Sequence, residues 1–157
     1  MVTSDLLLRT YGNPAVNTLD WERLNMERWT VPTAIRSAVP EMPGKIYMHK
    51  RFMPVVERWL TALVVGHVAH EIDTFDGCWN IRTIRGGKAM SIHSWGMAID
   101  FNASQNPLGL TTRQAHERGL KPFSAKFFSI SRQFVDCGID WPRRPDGMHF
   151  QIKARDL

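Results

Sequence analysis

"SIHSWGMAIDFN", residues 91–102, decides how this chain is read. From Gly96 onward the residues alternate. Gly96, Ala98, Asp100 and Asn102 fall on one face of an extended strand, and Met97, Ile99 and Phe101 fall on the other. The second set is an apolar core face. The first is small at its start and polar at its end, which suits a face that must leave room for something. Gly96 also lets the chain bend sharply after Ser94-Trp95, so that His93 can fold back over the Asp100 face.

Near the C-terminus "DGMHFQIK" (146–153) alternates again, with Met148, Phe150 and Ile152 inward and His149, Gln151 and Lys153 on the opposite face. If the two strands lie side by side, His93, Asp100 and His149 converge. Two imidazoles and a carboxylate with a fourth position open form the ligand set of a catalytic zinc, although Co²⁺ or Mn²⁺ suits such donors too. Asp146 stands three residues before His149. On a regular strand the two would point to opposite faces, so Gly147 must bend the chain if both are to face the metal. A carboxylate so placed can take a proton from a metal-activated water and pass it to a leaving amine, which describes amide hydrolysis.

The totals fit this reading without choosing it. At 157 residues, 43% hydrophobic and 22% charged, the chain reads as one globular unit with a core of its own. Its net charge of +5 favours polyanions. No run of five Lys/Arg and no helix-turn-helix pattern accompanies that charge, so no nucleic-acid partner is expected; an anionic cell surface serves equally well. The longest apolar run, "WLTALVV" (59–65), is far short of the ~18 residues of a membrane span, so no membrane insertion is expected. The first residues lack the basic region of a secretory signal, which leads us to expect synthesis and retention in a cytoplasm. Cys78 and Cys137 read as buried reduced thiols.

The order of elements predicts an α+β fold with a mainly antiparallel sheet flanked by helices. Residues 1–44 read as a peripheral extension, with a helix over 18–29 capped by Thr18 or Asp20 and then a proline-rich wrap lacking regular structure. Residues 45–157 read as the main domain: a helix over 51–70, a strand over 78–85, a loop at "RGGKAM", and a polar loop after Asn102. A helix follows over 124–138, with Ser124 as its cap and Gly138 as its stop. "HVAHE" (67–71) matches neither zinc-helix order and is expected on a helix surface, and His49 and His116 read as structural or solvated. Ser91 reads as a structural hydrogen-bonder, because no histidine is placed to activate it. Of Trp95 and Trp141, at least one is expected to pack rather than line a cleft.

The string Ser91-x-His93-x-x-Gly96-x-Ala98-x-Asp100, followed by Asp146-x-x-His149, resembles the zinc peptidases of the D-Ala-D-Ala carboxypeptidase and L-alanyl-D-glutamate endopeptidase family (peptidase family M15) over about residues 45–157. The resemblance implies a Hedgehog/DD-peptidase-like fold, Zn²⁺ held by His93, Asp100 and His149, and Asp146 as general base. Through "WNIRTIRGG" it implies Arg82 as the arginine that steadies a substrate carbonyl or the developing oxyanion; Arg85 is disfavoured because it does not share a strand face with Asn80 and Arg82. Asp rather than Glu at 146 resembles the endopeptidases of phage lytic enzymes, so the expected substrate is the L-Ala–D-Glu bond of the peptidoglycan stem peptide. A monomeric endolysin, held in the host cytoplasm before lysis, is the matching expectation. A D-Ala-D-Ala carboxypeptidase or dipeptidase is the alternative, as is a zinc-binding virion or wall-binding module without activity. Where relatives often carry glycines after the tryptophan corresponding to Trp141, this chain has Pro142-Arg143-Arg144-Pro145.

Overall fold

Ile99 and Phe150 pair across two antiparallel strands, and the elements of the fold are arranged about that pair. The computed structural model describes residues 1–157. Six α-helices and six strands follow in the order α1 (Ser4–Tyr11), α2 (Thr18–Asn25), β1 (Met26–Thr30), α3 (Thr33–Ala38), β2 (Lys45–His49), α4 (Met53–Val65), β3 (Phe75–Gly77), β4 (Ala98–Phe101), α5 (Thr112–Glu117), α6 (Ala125–Phe134), β5 (Asp136–Cys137) and β6 (His149–Gln151). The strands form an antiparallel pair β1-β2 and an antiparallel four-stranded sheet in the order β3-β4-β6-β5. The fold is α+β, as the sequence predicts. No helix is long and apolar enough to cross a membrane.

The expected core face of β4 is buried. Met97, Ile99 and Phe101 are fully inaccessible, as is Phe150 on β6. The Trp59 ring from α4 lies 4.9 Å from Phe150 and 5.9 Å from Phe101, and the α6 rings Phe127 and Phe128 lie 5.8 and 6.2 Å from Phe150. Trp59 Nε1 donates to Ser131 Oγ at 2.9 Å, which satisfies the indole N–H and locks α4 to α6. Helices therefore cover one face of the sheet, and on the other face Asp100 borders a cavity.

Several expected elements differ. The apolar pattern over 18–29 runs past the real helix end: α2 stops at Asn25, and Met26–Thr30 pair with β2. Its cap is Asn17, in the left-handed region at φ 50°, rather than Thr18 or Asp20. The proline-rich wrap contains the short helix α3. Within residues 1–44, Leu7, Trp21, Met26, Trp29, Ile35 and Val39 are buried in the same apolar cluster as Phe101 and Phe150. The 51–70 helix ends at Val65. Segment 78–85 is not a strand, apart from an isolated bridge between Thr83 and Met90. Helix α6 is capped by Ser124, as expected, whose Oγ accepts from Phe127 N–H at 3.1 Å, but it ends at Phe134, and β5 then pairs with β6. The polar loop after Asn102 contains α5, opened by a capping box of Thr111 and Gln114.

Gly96 joins the two sheets. It adopts φ 64°, its carbonyl accepts from His49 N–H at 3.0 Å, and an added Cβ would lie 2.6 Å from Met26 Cε and 3.0 Å from His49 N. Both the left-handed backbone and the close approach require glycine.

His49, at the end of β2, is buried and neutral. Its Nδ1 accepts from Arg51 N–H at 3.1 Å, its ring meets Tyr11 edge-on at 4.6 Å, and Nε2 is buried without a partner. Burial, assisted by the charges of Arg51 and Lys50, lowers its pKa to about 4. The unfolded chain takes up this proton near pH 6.5 and the folded one only near 4, so stability is lost as pH falls through that window. The loss is expected to reach at most about 3 kcal/mol. Denaturant unfolding at pH 7 and pH 4.5 checks it: His49→Asn, which keeps an acceptor for Arg51, should lose much less stability between the two pH values than the wild type.

Candidate active site

Asp100 and His149 are direct cross-strand partners on β4 and β6. This register places their side chains together on the face that borders the cavity. His93 reaches the same point from a 3-10 turn over Ile92–Trp95, which Ser91 opens and Gly96 closes. Ser91 thus has the structural role expected of it. Asp100 Oδ1 lies 3.2 Å from His93 Nε2 and 3.1 Å from His149 Nδ1, and the two nitrogens are 3.2 Å apart.

The outer nitrogens settle which lone pairs face inward. His93 Nδ1 lies 2.8 Å from the Cys78 carbonyl, which can only accept, so Nδ1 carries the proton and Nε2 presents a lone pair. His149 Nε2 lies 3.1 Å from Gln151 Oε1, while Gln151 Nε2 donates to the Val2 carbonyl at 3.1 Å. That arrangement places the proton of His149 on Nε2 and leaves Nδ1 facing Asp100. Three acceptor atoms therefore converge, which is unfavourable unless a cation or a proton lies among them. Ligands of a tetrahedral zinc at 2.0–2.1 Å stand about 3.3 Å apart, close to the separations seen here. The three residues form a group that can hold a metal ion.

The electrostatics agree. Burial alone would raise the Asp100 carboxyl, but its pairing with His149 and His93, each able to take a proton at the facing nitrogen, outweighs this and holds Asp100 well below the usual carboxylate range. Burial disfavours charge on His149, yet Asp100 and Asp146 raise its pKa overall. The centre favours positive charge.

Asp146 lies beside this group, and its Oδ1 is buried with no hydrogen-bond partner. His149 N–H donates to the Asp146 carbonyl at 3.1 Å, so residues 146–149 form the turn expected at Gly147. Gly147 bends without a left-handed backbone; what it supplies is space, since an added Cβ would lie 3.2 Å from Asn106 Cβ. Burial is the chief influence on Asp146 and pushes its carboxyl up; the charge of Asp100 adds to this, while His149, His93 and Arg144 oppose it without reversing it.

All four residues line a cavity of about 630 Å³, together with Arg82, Arg85, Trp141 and Arg144. Trp141 lies 5.1 Å from the His149 ring, whereas Trp95 is fully buried and donates Nε1–H to the Gly12 carbonyl at 2.9 Å. Arg82 is held through its backbone: its N–H donates to Ser94 Oγ at 3.1 Å, and that hydroxyl donates to the Arg82 carbonyl at 3.0 Å. Because 78–85 is not a strand, the face argument against Arg85 does not hold, and both arginines border the cavity. Asn102 leaves the site face. At φ 52° its Oδ1 accepts from the Asp73 and Thr74 N–H groups at 2.8 and 2.9 Å. His67, His70 and His116 are exposed and stand apart from the metal-binding group.

Gly138 is the residue whose role the sequence hides. An added Cβ would lie 2.5 Å from the Asp146 carbonyl oxygen and 3.2 Å from His149 Cβ. Gly138→Ala must displace the backbone that carries both side chains, at a cost of about 1–3 kcal/mol. Denaturant unfolding together with zinc titration checks this; unchanged stability and affinity would contradict the packing.

The model of the family described as D-alanyl-D-alanine carboxypeptidase matches residues 85–152, the span that contains His93, Asp100, Asp146 and His149. No curated protein and no solved structure matches the chain. The likeness to the peptidases of family M15 is thereby shown over the segment that holds both motifs.

Proposed function

We propose that this protein is a zinc-dependent peptidase of the bacterial wall that hydrolyses the L-Ala–D-Glu amide of the peptidoglycan stem peptide. The observation that carries the reading is the pairing of three convergent lone pairs with a buried, unpartnered carboxylate oxygen in one cavity. A structural zinc is closed by a fourth protein ligand and has no use for such a carboxylate.

Zinc held by His93, Asp100 and His149 would lower the pKa of a water and polarise the scissile carbonyl. Asp146 accepts the proton of the attacking water and delivers it to the leaving amine, a task that suits a carboxyl raised by burial. Arg82, fixed by Ser94 at the cavity wall, steadies the carbonyl oxygen as it gains charge. The Cys78 carbonyl and Gln151 keep each imidazole in its ligating tautomer. We further propose a monomeric, endolysin-type enzyme that is held in the host cytoplasm until lysis, its net positive charge favouring an anionic wall.

The description of the matching family favours a second reading, release of terminal D-Ala. Digestion of purified peptidoglycan, with the new ends labelled and identified by mass spectrometry, separates the two. New amino-terminal D-Glu that disappears with chelator is the expected result. Free D-Ala would move the assignment to a carboxypeptidase, and no new ends from any wall type would leave a binding module.

A further inference from the structure

Pro142-Arg143-Arg144-Pro145 leads directly into Asp146, and the structure shows what that segment touches. Arg144 Nη1 donates to the Arg85 carbonyl at 2.8 Å, and an added Cβ on Gly86 would lie 3.8 Å from the same nitrogen. Arg144 therefore ties the segment before Asp146 to the turn around Gly86, and both sides border the cavity.

That bond uses one guanidinium N–H on a neutral carbonyl, and a guanidinium has five to give. Arg82, Arg85 and Arg144 line one cavity, and none has a carboxylate within 4.0 Å. Arg132, by contrast, makes two bonds to Asp140 at 2.7 and 2.8 Å, and Arg113 meets Glu117 at 2.8 Å. The two acids of the cavity are not available to these arginines. Asp100 is engaged by both histidines, and Asp146 Oδ1 is buried and meets no arginine. The cavity wall is thus a set of positive forks awaiting an anion. Pro142 and Pro145 fix their own φ angles and restrict the backbone of the segment that carries Arg144.

Position narrows the anion. Arg144 is two residues from Asp146, and its charge is felt at that carboxyl. In the peptidase reading, on which this inference rests, Asp146 marks the side from which the amine departs. We propose that Arg144 is a specificity residue that reads a free carboxylate on the amino acid whose amine leaves, so that the preferred substrate is an acidic stem peptide rather than one whose carboxylate has been amidated.

The test uses two synthetic stem peptides that differ only at the D-Glu α-position, carboxylate in one and carboxamide in the other. Their binding to zinc-loaded Asp146→Ala protein, which cannot consume them, is measured by calorimetry with and without Arg144→Gln. The carboxylate peptide is expected to bind at least about tenfold tighter, the scale of one charge-assisted hydrogen bond. Arg144→Gln should reduce that preference to less than about threefold by weakening the carboxylate peptide alone. Arg144→Lys, which keeps the charge but lacks the fork, should retain only part of it. Equal binding of the two peptides, no binding of either, or a preference that survives Arg144→Gln overturns the proposal. The peptidase reading fails separately, if wild-type protein releases no new amine from either peptide while the binding preference stands.

Discussion

Asp146→Ala and the wild type should each bind one zinc ion per chain, and yet the variant should cleave stem peptide about 10²–10⁴-fold more slowly. The two parts of this result must occur together. Asp146 is not among the three atoms that converge on the metal position, so its removal leaves them in place. What is lost is a buried carboxylate oxygen that no group in the protein satisfies, an arrangement that is costly unless a water or substrate uses it. Burial raises this carboxyl, and a base works only when deprotonated. Activity should therefore fall as pH drops through a pKa above the ordinary carboxylate range, and that acid limb should be absent from the residual activity of Asp146→Ala. Elemental analysis beside the rate measurement checks both halves. Lost zinc would show that Asp146 is a ligand, and an unchanged rate would show that the base lies elsewhere.

Asp100→Ala should have the opposite signature, with zinc lost first and activity as a consequence. Asp100 Oδ1 is shared by both histidines at 3.1–3.2 Å, so without it the site keeps two neutral nitrogens and no negative charge. The fall in affinity should exceed the roughly 10–100-fold expected from removing an outer hydrogen-bond partner of a ligand. Because a ligand that binds only the folded state stabilises it, wild-type protein should melt higher with zinc than with chelator, and Asp100→Ala should melt alike in both. Zinc titration and thermal melting measure this. A variant that keeps wild-type affinity would remove Asp100 from the metal site.

The meeting of Asp100 and His149 was legible in the sequence because strand alternation is strict. Met97, Ile99 and Phe101 could serve only as a core face, which put Asp100 on the other face, and the same logic applied to Phe150 and His149. Asn102 broke the pattern because a left-handed residue ends the strand, and its amide is taken up by the backbone of Asp73 and Thr74. Strand β1 was not legible: Leu19 and Leu24 mimic a helical stripe but are 71% and 74% exposed, and the pairing that makes Met26–Thr30 a strand comes from residues 45–49. Segment 78–85 has strand composition, yet it is held chiefly by the Ser94 hydroxyl and by bonds to the 91–94 backbone, which no local pattern announces. Gly138 reads locally as a helix stop. Its steric role exists only once Asp146 folds against it.

The most direct measurement is X-ray absorption at the zinc edge of the zinc-loaded protein. A first shell of four nitrogen and oxygen atoms at about 2.0–2.1 Å, with imidazole scattering from two histidines and no sulfur, is the expected result. Sulfur at about 2.3 Å, or a closed shell with a fourth protein ligand, would contradict an open centre built on His93, Asp100 and His149.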